Sequence, residues 1–135
     1  QQNMDMEKNT EEIRDLSTAS PRELADRIVE LLDAKKAQEI KLLAVEEQTI
    51  LADYFILCTG NSNTQVKALA GEVEFKLEQA GVHLRRMEGY QEGTWVVLDY
   101  SSVILHIFHR ETRDFYQLEK LWSDAENVDL SALNK

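Results

Sequence analysis

The turn Gly60-Asn61-Ser62 is the part of this chain best suited to chemistry, because it joins an apolar run to a helix-periodic segment. Backbone N–H groups at such a turn, at the positive end of a helix dipole, can bind an anion. Nucleotidyl transfer there also needs a pair of carboxylates on a neighbouring strand to hold magnesium, and Asp99 has no such partner on its face. Neither a P-loop nor a dinucleotide-binding glycine motif occurs. The turn is therefore interpreted as a structural cap, with Ser62 and Gln65 in capping-box spacing.

The histidines and the cysteine do not form a metal site or a catalytic site. On a strand, residues three apart point to opposite faces, so His106 and His109 cannot ligate one ion together, and His83 lies in another segment. Cys58 sits among bulky apolar residues in the middle of a strand, where a thiol is usually inert packing. The sequence therefore predicts no enzyme, no cofactor and no metal site.

The net charge of the chain bears on its partners. Its 135 residues include 25 acidic and 15 basic side chains, a formal net charge of −10. Because nucleic-acid binding depends on clustered Lys and Arg, little direct nucleic-acid contact is expected, and a basic protein is the natural electrostatic partner. An acidity that serves only solubility is the alternative. No run is long enough to span a membrane, no signal-peptide pattern is present, and a single cysteine fits a reducing compartment, so we expect a cytoplasmic protein.

The predicted elements form one domain over residues 20–125, between a flexible tail at 1–19 and a frayed segment at 126–135. Ser20-Pro21 begins the first helix, with Glu23 at the third position to complete a capping box, and Gly81 ends the second. The order is α-β-β-α-β-β-β-α, over residues 21–36, 39–47, 53–59, 63–80, 83–90, 94–100, 103–108 and 112–125. This order indicates an α/β (α+β) domain with a mixed β-sheet and flanking helices.

Two of these strands, joined only by Ser101-Ser102, form a tight hairpin with two different faces. One face is almost wholly apolar and is expected against the helices: Val96, Leu98, Tyr100, Val103, Leu105 and Ile107. The other, the mixed face, combines aromatic side chains with a carboxylate and an imidazole: Trp95, Val97, Asp99, Ile104, His106 and Phe108. Two interpretations of the mixed face stay open, a protein-binding surface and a surface that a helix covers.

Several separate motifs, in order along residues 20–125, resemble the ribosomal silencing factor family, also called the Iojap-related family. They are Leu51–Ser62, Gln65-Val66, Glu88-Gly89-Tyr90, Trp95–Tyr100, Val103–Phe108 with His106, Arg113, Tyr116 and Leu118–Trp122. Ser101-Ser102 departs from the pattern, since the family more often has Gly followed by Asp there. Primed turns favour a positive φ, so two serines are expected to loosen or reshape this loop.

The resemblance implies a degenerate relative of the nucleotidyltransferase fold, without catalytic activity. It implies binding to large-subunit ribosomal protein uL14, which obstructs joining of the small subunit and silences translation, and in organellar relatives it implies large-subunit assembly. The residues expected to bind uL14 are Trp95, Val97, Asp99, Ile104, His106, Phe108 and Glu88. Two other functions stay open: nucleotide binding at Gly60–Ser62, and a homodimer that buries Trp95 against its own copy.

Overall fold

The structure, a computed structural model, describes residues 15–112, 126–128 and 130. Its helices are α1 (Pro21–Ala34) and α2 (Asn63–Gln79). Its strands are β1 (Gln38–Ala44), β2 (Tyr54–Gly60), β3 (Arg86–Glu88), β4 (Trp95–Asp99), β5 (Val103–His109) and β6 (Glu126–Asn127). The final helix predicted at residues 112–125 lies outside the described residues except for its first position.

One mixed sheet of six strands, in the order β3-β4-β5-β2-β1-β6, organises the fold. β2 and β5 run parallel at its centre, and all other neighbouring strands are antiparallel. Parallel neighbours need a crossover connection, and the chain makes it through α2, β3 and β4. The predicted α+β class with a mixed sheet is confirmed.

Local sequence explains both ends of α1. Ser20 Oγ accepts a hydrogen bond from the Glu23 amide at 3.2 Å, and the Glu23 carboxylate accepts one from the Ser20 amide at 2.9 Å. This is the capping box that the sequence predicts. At the other end the amides of Lys36 and Ala37 each donate to a carbonyl of the last turn at 3.0 Å. This Schellman motif holds Lys36 at a φ of 68°.

The ends of α2 also agree with its sequence. Ser62 Oγ accepts a hydrogen bond from the Gln65 amide at 3.0 Å, and Gly81 follows the last turn with a φ of 87°. The buried side chains of α2 are Val66, Leu69, Ala70, Val73 and Leu77. Among the described residues, no helix is both long enough and apolar enough to cross a bilayer.

The core has two parts, one on each face of the sheet. The larger part, the helix-side core, joins α1 and α2 to the hairpin face predicted to be apolar, that is to Val96, Leu98, Tyr100, Val103, Leu105 and Ile107. The smaller part, the second cluster, comprises Leu43, Val45, Ala52, Phe55, Leu57 and Phe108, with Trp95 and Ile104 packed against it. Strands and the β1–β2 loop build this cluster, and no side chain of α1 or α2 belongs to it.

The folded part extends beyond the predicted boundaries at both ends. Leu16 lies in the segment expected to be a flexible tail, yet it packs against the helix-side core, and its amide donates to the Ala80 carbonyl at 2.8 Å. Glu126–Asn127 lies in the segment expected to fray, yet it pairs with β1 as the edge strand β6. The pairing satisfies backbone groups that β1 would otherwise leave open at the sheet edge.

Candidate protein-binding face

The hairpin sets the mixed face in the register that its short turn predicts. The opposed pairs are Trp95 with Phe108, Val97 with His106, and Asp99 with Ile104. On the outer side of the hairpin, β3 pairs with β4 and brings Glu88 next to Val97. All the residues expected to bind a partner therefore lie together on one side of three neighbouring strands.

Phe108 and His106, two of the residues expected to contact a partner, are buried within this face. Phe108 is 0% exposed, and His106 is 8% exposed. Both lie on β5, an interior strand, so β4 flanks them on one side, and Leu57 and Thr59 of β2 flank them on the other. These two side chains support the face from within.

The accessible part of the mixed face lies along β4 and its margins. It consists of the half-buried Trp95, Val97, Asp99 and Ile104 and the exposed Glu88. Trp95 is the largest of these, and its indole stacks on Phe108 at 5.2 Å with 27° between the ring planes. A half-buried aromatic side chain held by its neighbours loses little rotamer freedom on binding, which suits an interface anchor.

A hydrogen bond between Trp95 and His106 determines the tautomer of the imidazole. Trp95 Nε1 donates to His106 Nδ1 at 3.2 Å, because an indole nitrogen has a proton to give and no lone pair to offer. The neutral ring then carries its proton on Nε2, which is buried and has no hydrogen-bond partner among the described residues. Burial lowers the pKa of His106 from 6.5 to about 4, so the ring is neutral at pH 7.

Asp99 shapes the hairpin turn as well as charging its surface. Asp99 Oδ1 accepts a hydrogen bond from the Ser101 amide at 2.8 Å, and Ser101 has a φ of 74°. The turn thus keeps the positive φ of a primed hairpin turn, with a serine where glycine is preferred. The Tyr100 amide donates to the Val103 carbonyl at 2.9 Å, so the two serines still close a tight hairpin.

The charges at the margin of the face are weakly paired. Glu88 forms an ion pair with Arg86 at 3.1 Å, and the two side chains are 61% and 68% exposed. Arg86 also lies opposite Asp99 in the β3–β4 register. Exposed pairs of this kind contribute ~0–1 kcal/mol, so a basic side chain of a partner can replace Arg86 at little cost.

The Gly60-Asn61-Ser62 turn is closed by its own side chains. A Cβ on Gly60 would lie 2.9 Å from Val66 Cγ2, so the close packing of β2 on α2 requires glycine. Besides the Ser62 cap, Gln65 Oε1 accepts a hydrogen bond from the Asn61 amide at 2.7 Å. Two amides that would face a phosphate are therefore already bonded. Within the described residues, no group of three His, Cys, Asp or Glu side chains could hold a metal ion.

The sequence alone does not place three side chains that border the mixed face: Leu43, Phe55 and Leu57. They lie on β1 and β2, and only the strand order brings them beside the hairpin. The apolar run through β2 did carry a signal, because such a run is typical of a strand covered on both faces.

These features define a class of protein, an α+β domain with a mixed sheet and a candidate protein-binding face on it. A family model described as "Ribosomal silencing factor during starvation" matches residues 18–135. The ribosomal silencing factor of Halalkalibacterium halodurans is 39% identical over 114 residues, which cover 84% of this chain and 97% of that protein. The Bacillus subtilis ribosomal silencing factor is 43% identical over 98 residues, which cover 73% of this chain and 83% of that protein.

A solved structure agrees with these relatives. The crystal structure of a Chromobacterium violaceum protein matches with a TM-score of 0.75 and 38% identity, covering 77% of this chain and 87% of that one. The chain belongs to the ribosomal silencing factor family. Its function accordingly lies in ribosome silencing and the regulation of translation.

Proposed function

We propose that this protein binds ribosomal protein uL14 on the large subunit through the accessible part of the mixed face, and so blocks joining of the small subunit. The main support for the proposal is Trp95, a half-buried aromatic side chain that a hydrogen bond holds in place on a sheet face. The chain also belongs to a family named for ribosome silencing. The protein acts by occupying a surface, without turnover.

The distribution of side chains on the face supports this mode of binding. Trp95, Val97 and Ile104 provide an apolar centre, and Asp99 and Glu88 provide an acidic margin. Binding energy at protein interfaces is concentrated in a few central aromatic anchors surrounded by a polar rim. An ordinary interface covers roughly 800 Å² of each partner, which is enough to exclude a second large molecule from the same place.

The net charge supports a basic partner. With a formal net charge of −10, the chain attracts basic ribosomal proteins over a distance and repels exposed phosphates. Complementary charge acts mainly on the association rate and on the choice of partner, so it complements the Trp95 anchor and does not replace it.

Replacing Trp95 tests the face directly. Trp95→Ala should weaken binding to purified uL14 by ~2–4 kcal/mol, the range for aromatic hot spots, as measured by isothermal titration. Phe75→Ala is the matched control, because Phe75 is a 58% exposed aromatic side chain on α2, away from the mixed face. Thermal melts of both variants establish the folded fraction. Unchanged affinity in a folded Trp95→Ala variant would place the interface elsewhere.

Asp99→Asn tests the charge of the face separately from its shape. The amide oxygen of asparagine can still accept the hydrogen bond from Ser101, whereas lysine would remove it. We expect slower association with uL14 and a smaller salt dependence than in the wild type. Glu74→Gln removes the same charge from an exposed position on α2 and serves as control. Equal salt dependence in the two variants would contradict a role for Asp99 in attracting the partner.

A homodimer that buries Trp95 is the competing function for the same face. Mass measurements in solution, with and without uL14, separate the two. Our proposal predicts a complex of this chain with uL14. A dimer that persists and leaves added uL14 unbound would contradict it.

A further inference from the structure

The loop between β1 and β2 presents two aliphatic side chains to solvent. Ile50 is 103% exposed and Leu51 is 67% exposed, more than any other large apolar side chain in the described part of the chain. Single exposed apolar residues are ordinary, but two adjacent ones at a loop tip form a patch that polar residues surround. We call residues 46–51 the β1–β2 tip.

Hydrogen bonds hold the tip in shape. The amides of Gln48 and Thr49 both donate to the Val45 carbonyl, at 3.0 and 3.1 Å, and the Leu51 amide donates to Thr49 Oγ1 at 3.0 Å. At the base, the Val45 amide donates to the Asp53 carbonyl at 2.9 Å. The apolar pair therefore projects from a closed turn, which directs it outward.

The tip is continuous with the mixed face. Val45 and Ala52, on either side of it, belong to the second cluster, against which Trp95 and Ile104 pack. The Asp53 amide donates to the Ser102 carbonyl at 2.8 Å, which ties the loop to the turn of the hairpin. The tip lies at the end of the mixed face that Asp99 and Ile104 form, and Trp95 lies at the other end of β4. A molecule that covers the length of the accessible part therefore also meets the tip.

Charge indicates which molecule the tip would meet. Glu46 and Glu47 are exposed and begin the tip, with two residues between them and the apolar pair. An apolar centre beside acidic side chains is complementary to an apolar depression rimmed by Lys or Arg. That chemistry is the same as the chemistry of the accessible mixed face, so one partner can satisfy both.

We propose that the β1–β2 tip is a second docking point for the basic ribosomal protein that the mixed face binds, with Ile50 and Leu51 inserted into an apolar depression of that protein. The inference rests on the proposed binding of uL14 and extends its footprint beyond the hairpin. Glu46 and Glu47 pair with basic side chains around the depression.

Serine substitutions at the tip test this inference. In isothermal titration against purified uL14, Ile50→Ser and Leu51→Ser should each weaken binding by about fivefold or more, and the double variant by at least about tenfold, or ~1.4 kcal/mol. Because both side chains are exposed, the melts should stay unchanged. Phe75→Ser, at an exposed position on α2, should bind within about twofold of the wild type.

Trp95→Ala in the same titration separates this inference from the proposed function. Weaker binding in both Trp95→Ala and the double tip variant supports both. Weaker binding in Trp95→Ala alone, with the tip variant within about twofold of the wild type, overturns the second docking point and leaves the mixed face in place. Weaker binding in the tip variant alone supports the tip and overturns the mixed face, and unchanged binding in both overturns the two proposals together.

Discussion

The imidazole of His106 lies among the rings of Phe55, Trp95 and Phe108, with centroid distances of 5.1, 6.1 and 6.2 Å. Burial lowers its pKa from 6.5 to about 4. The unfolded chain therefore takes up a proton as the pH falls below 6.5, while the folded protein does not until about pH 4. This contribution to stability is fully present above pH 6.5 and is lost as the pH falls from there to about 4.

His106→Asn removes this titration while its amide oxygen can still accept the hydrogen bond from Trp95. Between pH 7 and pH 5 we expect the wild type to lose about 2 kcal/mol more unfolding free energy than the variant. Urea unfolding of both proteins at both pH values measures the difference, and titrations common to both proteins cancel. The same loss in the two proteins would show that His106 titrates normally and is not held neutral by burial.

Contacts between near neighbours in the chain were predictable, and contacts between distant residues were not. Ser20 and Glu23 are three residues apart, so their spacing alone specified the capping box. Phe55 and His106 come from separate strands, and nothing local to either residue indicates that their rings meet. The register of the hairpin was therefore enough to predict which residues share the mixed face. It was not enough to predict that His106 and Phe108 are buried.

Among the elements, the hairpin and the helix ends followed from the sequence, whereas the strand order did not. A two-residue turn leaves one register for β4 and β5. The parallel pairing of β2 with β5 joins strands separated by α2, β3 and β4, and strand propensity says nothing about which strands become neighbours. The edge strand β6 was missed for the same reason, because two residues carry no periodicity to detect.

The two helices end in the same motif with different residues, which leads to a prediction about stability. Lys36 after α1 has a φ of 68°, and Gly81 after α2 has a φ of 87°. A Cβ in this left-handed region costs roughly 1 kcal/mol relative to glycine. Lys36→Gly should therefore raise the unfolding free energy by about 1 kcal/mol in urea titrations.

The neighbouring residue provides the control for this change. Lys35, the C-cap of α1, has a φ of −97°, where glycine offers no relief, so Lys35→Gly should leave the stability unchanged or lower it. If Lys36→Gly were the less stable of the two variants, the left-handed residue would not limit the stability of α1.

At the scale of the whole molecule, the two faces of the sheet serve different purposes. The two helices cover one face and form the larger core there. On the other face, the second cluster supports Trp95 and the half-buried residues around it. This division leaves a fixed, partly apolar surface on an acidic domain, which is the form that a protein acting by occupancy requires.

The family was predictable at this scale because its motifs are spread along most of the chain, and the match over residues 18–135 confirms it. How deeply each side chain of the mixed face is buried was not predictable, because burial depends on the strands beside the hairpin. Glu88, Trp95, Val97 and Asp99 lie on the two strands at that end of the sheet and stay accessible, whereas the interior strand β5 buries Phe108.

A subunit-joining assay tests the central claim most directly. Purified large subunits are incubated with the wild type, Trp95→Ala or Phe75→Ala, then mixed with small subunits and separated by sedimentation. We predict that the wild type and Phe75→Ala keep the subunits apart, that Trp95→Ala allows joining at the same concentration, and that excess free uL14 restores joining. Normal joining with the wild type bound to the large subunit, or an undiminished block by Trp95→Ala, would contradict the account.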